Sequence, residues 1–258
     1  MPTITSLVRL VLGLAALFPA SSLLADSVHD DSDRSGDMRI AVVTDLTEAG
    51  KRLPHPTPEK PAYYIPITTG YKKEGDFVKF FQESPPPTAE IQRMIAKALA
   101  SQGYLVAINN TRPSLILAFR WGSWAPIFLH GVFINQAEME TLVSGAQAEL
   151  MTPLNPRARD AYEAARQPRW GVVVTAFDFD DQYYRHKVTI LWRECMSTEL
   201  WGHYIDEVLP TLIASGAPMF GRQTTTPQLT QTTVIPEGHV VVGAPYINNS
   251  PSAPAAPK

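Results

Sequence analysis

The chain has 258 residues, with 22 Lys and Arg against 25 Asp and Glu and a formal charge of −3. So small a charge gives no argument for binding nucleic acid or an anionic membrane surface. The single cysteine, Cys195, rules out an intramolecular disulfide, so an exported domain must rely here on an ordinary hydrophobic core.

Arg9 precedes a mostly apolar run from Leu10 to Phe18, and small residues follow at Ala20, Ser21, Ser22 and Ala25. That is the layout of a secretory signal. The apolar run is shorter than the roughly 20 residues a spanning helix needs. Residues 1–25 are read as a signal peptide cut near Ala25, with a cut after Ser22 as the alternative. The mature chain is then expected to be periplasmic or secreted. A lipoprotein would carry a cysteine at the cut, and none is there. No later stretch reads as a transmembrane helix.

Asp26 to Asp37 is acidic and polar and predicts a flexible spacer. Met38–Val43 and Ala62–Thr68 read as strands, with Pro66 implying an edge or a bulge in the second. Lys72 to Phe81 has no clear pattern. After Pro85–Pro87, Thr88 is a predicted N-cap. Ile91, Met94, Ile95, Ala98 and Leu99 form one helical stripe, and Gly103 ends it at C′. Strands follow at Tyr104–Ile108 and Leu115–Trp121. Residues 122–169 break the rhythm and read as a helical insertion. Asn135 caps a helix there with Glu138 in capping-box spacing, and Met139, Leu142, Val143 and Ala146 make its apolar face. A second insertion helix starts at Asn155-Pro156, with a weak stripe of Ala158, Tyr162 and Ala165.

The sheet resumes at Gly171. Val172–Thr175 is apolar on both faces, then Phe177 and Phe179 alternate with Asp178 and Asp180. Asp181–His186 is the predicted connection to Lys187–Met196, where Val188, Ile190 and Trp192 share one face. Trp192 is expected in the core. A last helix spans about Tyr204 to Ser215, with Pro210 predicting a kink or late start and Gly216 a stop. The Thr/Pro-rich end, residues 223–258, predicts a mostly disordered tail, except for a short strand around Val240–Val242. The fold class is therefore α+β. A two-layer sandwich is expected, a mostly antiparallel sheet with helices on one face plus the insertion, as a single domain over 38–222.

The tightest carboxylate cluster, Asp178, Asp180 and Asp181, lacks EF-hand spacing and reads as a solvated hairpin end balanced by Arg185, His186 and Lys187. The histidines (His29, His55, His130, His186, His203, His239) contain no i, i+2 or i, i+4 pair, so no metal site is predicted. There is no nucleophile elbow, phosphate loop or dinucleotide fingerprint, and no cofactor or catalytic set is assigned. Cys195 reads as a small hydrophobe. Trp121, Trp124, Phe128 and Phe133, with Arg120 nearby, are the candidate interaction surface; the competing expectation is that they pack the insertion onto the sheet.

The stretch QRMIAKALASQGYLVAINNTRPSLILAF, from Gln92 to Phe119, resembles uncharacterised exported bacterial domains of unknown function, often envelope-linked. So does VVVTAFDFDDQYYRHKVTILWRECMS followed by DEVLPTLIASGAPMFGR, whose second strand carries Leu191, Trp192 and Arg193. The resemblance covers about residues 61–222. Many such relatives are lipoproteins, and this chain departs from them in lacking the lipid-bearing cysteine. No catalytic set comes with the resemblance.

The function expected from the sequence is binding or assembly in a bacterial envelope, with an envelope protein as the partner. The alternative is a hydrolase or small-ligand-binding protein with a site between the insertion and the sheet. An enzyme would draw on His130, Glu138, Asp178, Arg193 and His203. A ligand pocket would draw on Trp121, Trp124 and Phe128.

Overall fold

The computed structural model describes residues 37–75, 85–130, 132–145, 159–234 and 240–242. The predicted leader, most of the acidic spacer, Ala146, and the start of the second insertion helix with Ala158 lie outside the described residues. The strands are β1 (Asp37–Leu46), β2 (Ala62–Glu74), β3 (Tyr104–Val106), β4 (Leu115–Trp124), β5 (Phe128–Leu129), β6 (Val132–Phe133), β7 (Arg169–Asp178), β8 (Ile190–Glu199), β9 (Gln228–Val234) and β10 (Val240–Val242). The helices are α1 (Thr88–Ser101), α2 (Gln136–Ser144), α3 (Arg159–Ala165), α4 (Phe179–Tyr184) and α5 (Ile205–Gly216). Eight strands form one sheet in the order β10-β9-β1-β8-β7-β4-β2-β3, while β5 and β6 pair apart from it. Among the described residues, only the β2–β3 and β2–β4 pairings are parallel. The protein is thus an α+β fold built on a mostly antiparallel sheet.

Side-chain alternation divides the core in two. On the first face, Ile91, Ile95 and Leu99 of α1 and Val208, Leu209 and Leu212 of α5 cover the sheet, with Trp121, Val172 and Trp192 beneath them. Those are the stripes the sequence predicts. On the opposite face, Met139, Leu142 and Val143 of α2 and Ala165 of α3 pack over Ala41, Val43, Trp124, Val173 and Cys195. The insertion therefore adds a partial third layer rather than joining α1 and α5.

Several local expectations change. Thr88 is the first helical residue, not the cap; Pro87 stands at the N-cap with no side-chain acceptor, and its carbonyl accepts from the Glu90 amide at 2.9 Å. Gly103 does take the predicted left-handed conformation (φ 84°), and a Cβ there would strike the backbone of Thr57. Pro66 is tolerated in β2 for a directional reason. Tyr64 turns its carbonyl toward the β3 side, bonding Ala107 N, while Tyr63 turns toward β4, bonding Ser114 N. By alternation the donorless nitrogen of Pro66 faces the β3 side, beyond the last β3 residue. A register shift between Thr68 and Gly70 supplies the bulge.

The largest correction concerns the end of the chain. Asp37, placed in the spacer, opens β1 and pairs with Thr233. Gln228–Val234, placed in the disordered tail, is a strand on β1, and β10 adds to it. Its threonines suit a pleated surface, and Thr230 and Thr232 are buried. Before it, Thr224 exchanges two bonds with the Thr44 backbone, its hydroxyl accepting from Thr44 N and its amide donating to Thr44 O, each at 3.0 Å.

Glu194 sits in the first core, fully buried, where β8 meets α5. The Thr44 hydroxyl lies 3.0 Å from Glu194 Oε2 and 3.1 Å from the Met219 carbonyl. One hydroxyl has one proton to donate. Both contacts are satisfied when Glu194 is neutral, donating to Thr44 Oγ1 while Thr44 donates to Met219 O. Burial pushes the Glu194 carboxyl well above the ordinary range, against the opposite pull that Thr44 exerts when its hydroxyl donates to the carboxylate instead. Gly216 is the last residue of α5 rather than a stop beyond it; a Cβ there would meet Met196 Sδ at 2.2 Å and Glu194 Oε1 at 2.5 Å. Pro210 stays inside this one helix.

A carboxyl raised by folding contributes stability in full below its unfolded value, near 4.5, and loses it as pH climbs through the folded value. Glu194→Gln should therefore gain on the native chain between pH 5 and pH 8 in paired urea unfolding curves. A stability difference that does not change with pH would contradict the buried neutral acid.

Candidate functional site

The site follows from incomplete cover of the second sheet face. Trp124 belongs to β4, not to the insertion, and its ring lies across Gly171 of the neighbouring strand. A Cβ on Gly171 would sit 2.9 Å from the Trp124 ring and 3.3 Å from Leu142. This seat places α2 over β1 and β8 and leaves β2 outside its cover, where Ile65 and Ile67 are 38% and 45% exposed. An open cleft of about 500 Å³ remains, lined among others by Arg120, Trp124, Val173, Phe177, Arg193 and Cys195, with Glu138 and Thr141 of α2 on its wall.

Arg120 is fully committed. Its Nη1 donates to Glu74 Oε1 at 2.9 Å, its Nη2 to Glu138 Oε1 at 3.2 Å, and its guanidinium carbon lies 5.1 Å from the centre of the Trp124 ring. Burial, then the neighbouring Glu138 carboxyl, raise the Glu74 carboxyl, against the pull of Arg120. Arg193 faces the same cleft half-buried and has no ion pair within 4 Å among the described residues. Cys195 forms part of the floor; burial pushes its thiol up to about 12, so it stays neutral at ordinary pH and is no thiolate nucleophile.

The proposed surface set divides. Trp121 and Trp124 are 0% exposed, in opposite cores, so neither belongs to an interaction surface; their bulk fills the interior on each side of β4. Phe128 and Phe133 sit on the β5–β6 hairpin, stacked with centroids 5.1 Å apart. Phe128, Leu129, Val132 and Ile134 are all more than half exposed. The Arg166 guanidinium lies within about 6 Å of the Phe128, Phe133 and Tyr162 rings. Asn135 is the N-cap residue of α2, but the predicted capping box with Glu138 does not form. Asn135 instead clamps the hairpin base, accepting from Ile127 N at 2.7 Å and donating to Ala125 O at 2.9 Å, while Glu138 goes to Arg120.

Of the five candidate catalytic residues, Glu138 and Arg193 line the cleft. The others are scattered. His130 lies at the hairpin tip with φ 50°. The His203 carbonyl accepts from Trp170 Nε1 near the start of β7. Asp178 ends β7, roughly 26 Å away at 3.3 Å per residue, and its carboxylate caps α4 by accepting from Asp181 N at 2.8 Å. The acidic cluster is also spoken for: Asp180 pairs with Arg112, and Asp181 accepts from Arg185 and Thr189. α4, between β7 and β8, occupies what the sequence reads as a bare hairpin connection.

No family model and no curated protein matches the chain. Among solved structures it is similar to a PelC dodecamer from Paraburkholderia phytofirmans, at 12% identity over 72% of this chain and 99% of that one, with a TM-score of 0.33. It is also similar to a PDZ domain protein from Parabacteroides distasonis, at 11% identity over 77% of this chain and 40% of that one, with a TM-score of 0.40. Likenesses this distant carry no argument about function.

Trp124→Ala should lower unfolding free energy by about 3–5 kcal/mol, the range for emptying an aromatic site in a core. Arg120→Met should cost less, because it keeps the apolar stem over the ring. Thermal melts that leave Trp124→Ala at the native Tm would contradict its place as the seat of α2.

Proposed function

We propose that this is an exported binding or assembly protein of a bacterial envelope, engaging a protein partner through the β5–β6 hairpin. The observation that carries the reading is a small, clamped hairpin presenting Phe128, Leu129, Val132 and Ile134 to solvent beside Arg166. Aromatic side chains with arginine are what protein interfaces are enriched in. A contiguous exposed apolar patch costs solubility unless something covers it. Export rests on Arg9, the apolar run to Phe18 and the small residues up to Ala25.

An enzyme is the weaker reading. It would need an acid, a base and a pocket within hydrogen-bond reach. His130, Asp178 and His203 are not among the residues lining the cleft that holds Glu138 and Arg193.

The test is the double substitution Phe128→Ser with Leu129→Ser in the tagged mature protein. Both side chains are exposed, so Tm should stay within a few degrees of the native value. A stoichiometric partner cross-linked in the envelope fraction should be lost. Retention of that partner by the variant would contradict the hairpin as the contact.

A further inference from the structure

We infer that the cleft under α2 binds a single-chain amphipath with an anionic head, the head on Arg193 and the apolar body running across the sheet toward Ile67. Arg120 has two carboxylates and an aromatic ring, whereas Arg193 has no ion pair among the described residues. Its cross-strand neighbour is Asp45, whose Oδ2 lies where a Cβ on Gly145 would stand. A guanidinium set beside Val173 and the neutral thiol of Cys195 loses part of its hydration, and an anionic ligand offsets that loss.

The strand register supplies the rest. Arg193 of β8 stands opposite Thr175 of β7, which stands opposite Ala118 of β4, which stands opposite Ile67 of β2. All four lie on the same face, in one row crossing the strands. Three interstrand spacings make the row roughly 14 Å long. The parallel row is Phe177, Ile116 and Ile65. One end is therefore cationic, the middle small or apolar, and the far end carries isoleucines with no cover from α2. Both the length and the polarity fit an extended medium-length alkyl chain ending in a carboxylate or phosphate. This inference stands apart from the hairpin, which lies off the row.

The probe is decanoate, titrated by calorimetry against the mature protein well below its micelle concentration. Decyl phosphate, decanol and decyltrimethylammonium serve as comparisons. Decanoate or decyl phosphate should bind saturably, at least tenfold tighter than decanol or the cation, and the tighter anion identifies the head group. Arg193→Met, which keeps the stem, should abolish that preference, and Arg193→Lys should restore part of it. Ile67→Ser should weaken decanoate and decanol alike. The Phe128→Ser/Leu129→Ser variant should bind decanoate like the native chain, so loss of the partner and loss of the ligand are separable. Should Arg193→Met fail to fold, the native anion-to-alcohol ratio and Arg193→Lys still decide. Equal affinity for decanoate and decanol, no saturable binding, or an unchanged Arg193→Met would overturn the inference.

Discussion

The second face of this sheet is organised by one packing constraint, a tryptophan ring lying across a glycine. Trp124 occupies the space that a side chain at position 171 would fill, and Leu142 closes over it. A broad, fully buried aromatic group contributes several kcal/mol when emptied space is the alternative. It therefore fixes where α2 lands. Because the ring sits near the end of β4, α2 covers the β1–β8 side and leaves the β2 side open. The guanidinium of Arg120 lies against the same ring and is held by one acid from β2 and one from α2. The insertion is thus tied to the sheet by packing and by charge at one place.

Two consequences follow from that single anchor. Upstream of α2 the chain must turn back, and Asn135 ties the turn into a closed hairpin rather than capping the helix. Its apolar side chains Phe128, Leu129 and Val132 stand exposed, while Phe133 packs against the second core. Downstream, the uncovered part of the sheet becomes a cleft with Arg193 at one end. Arg169 secures the far side, buried, donating to Ser197 Oγ and to the Ala164 carbonyl at the end of α3. Burial lowers its pKa to about 10, still high enough for it to remain cationic at neutral pH.

Periodicity made much of this legible. The stripes of α1 and α5, the apolar strand at Leu115 and the burial of Trp192 are all readable from spacing, because each depends on neighbours along the chain. The β9 strand was not readable: its threonines carry too little apolar signal, and only pairing with β1 reveals its place. Trp124 and Phe128 look alike in sequence, and only a cross-strand glycine at position 171 separates a core residue from a surface one. Asn135 with Glu138 matches a capping box, yet each side chain found a partner far from that motif. Glu194 alternates onto the Trp192 face, but a lone glutamate carries no signal of full burial; its cover comes from Gly216, 22 positions later, which lets the end of α5 close over it. The row from Arg193 to Ile67 joins four strands and has no signature within any of them.

The most direct measurement is photo-cross-linking in the native envelope, with a photoreactive residue placed in turn at position 128, at position 124 and at position 183. Position 183 is an exposed tyrosine on α4, away from the hairpin. One discrete protein adduct is expected from position 128, none from 183, and a poorly folded or adduct-free chain from 124. Adducts of equal yield from 128 and 183, or none from 128 in a folded protein, would contradict it.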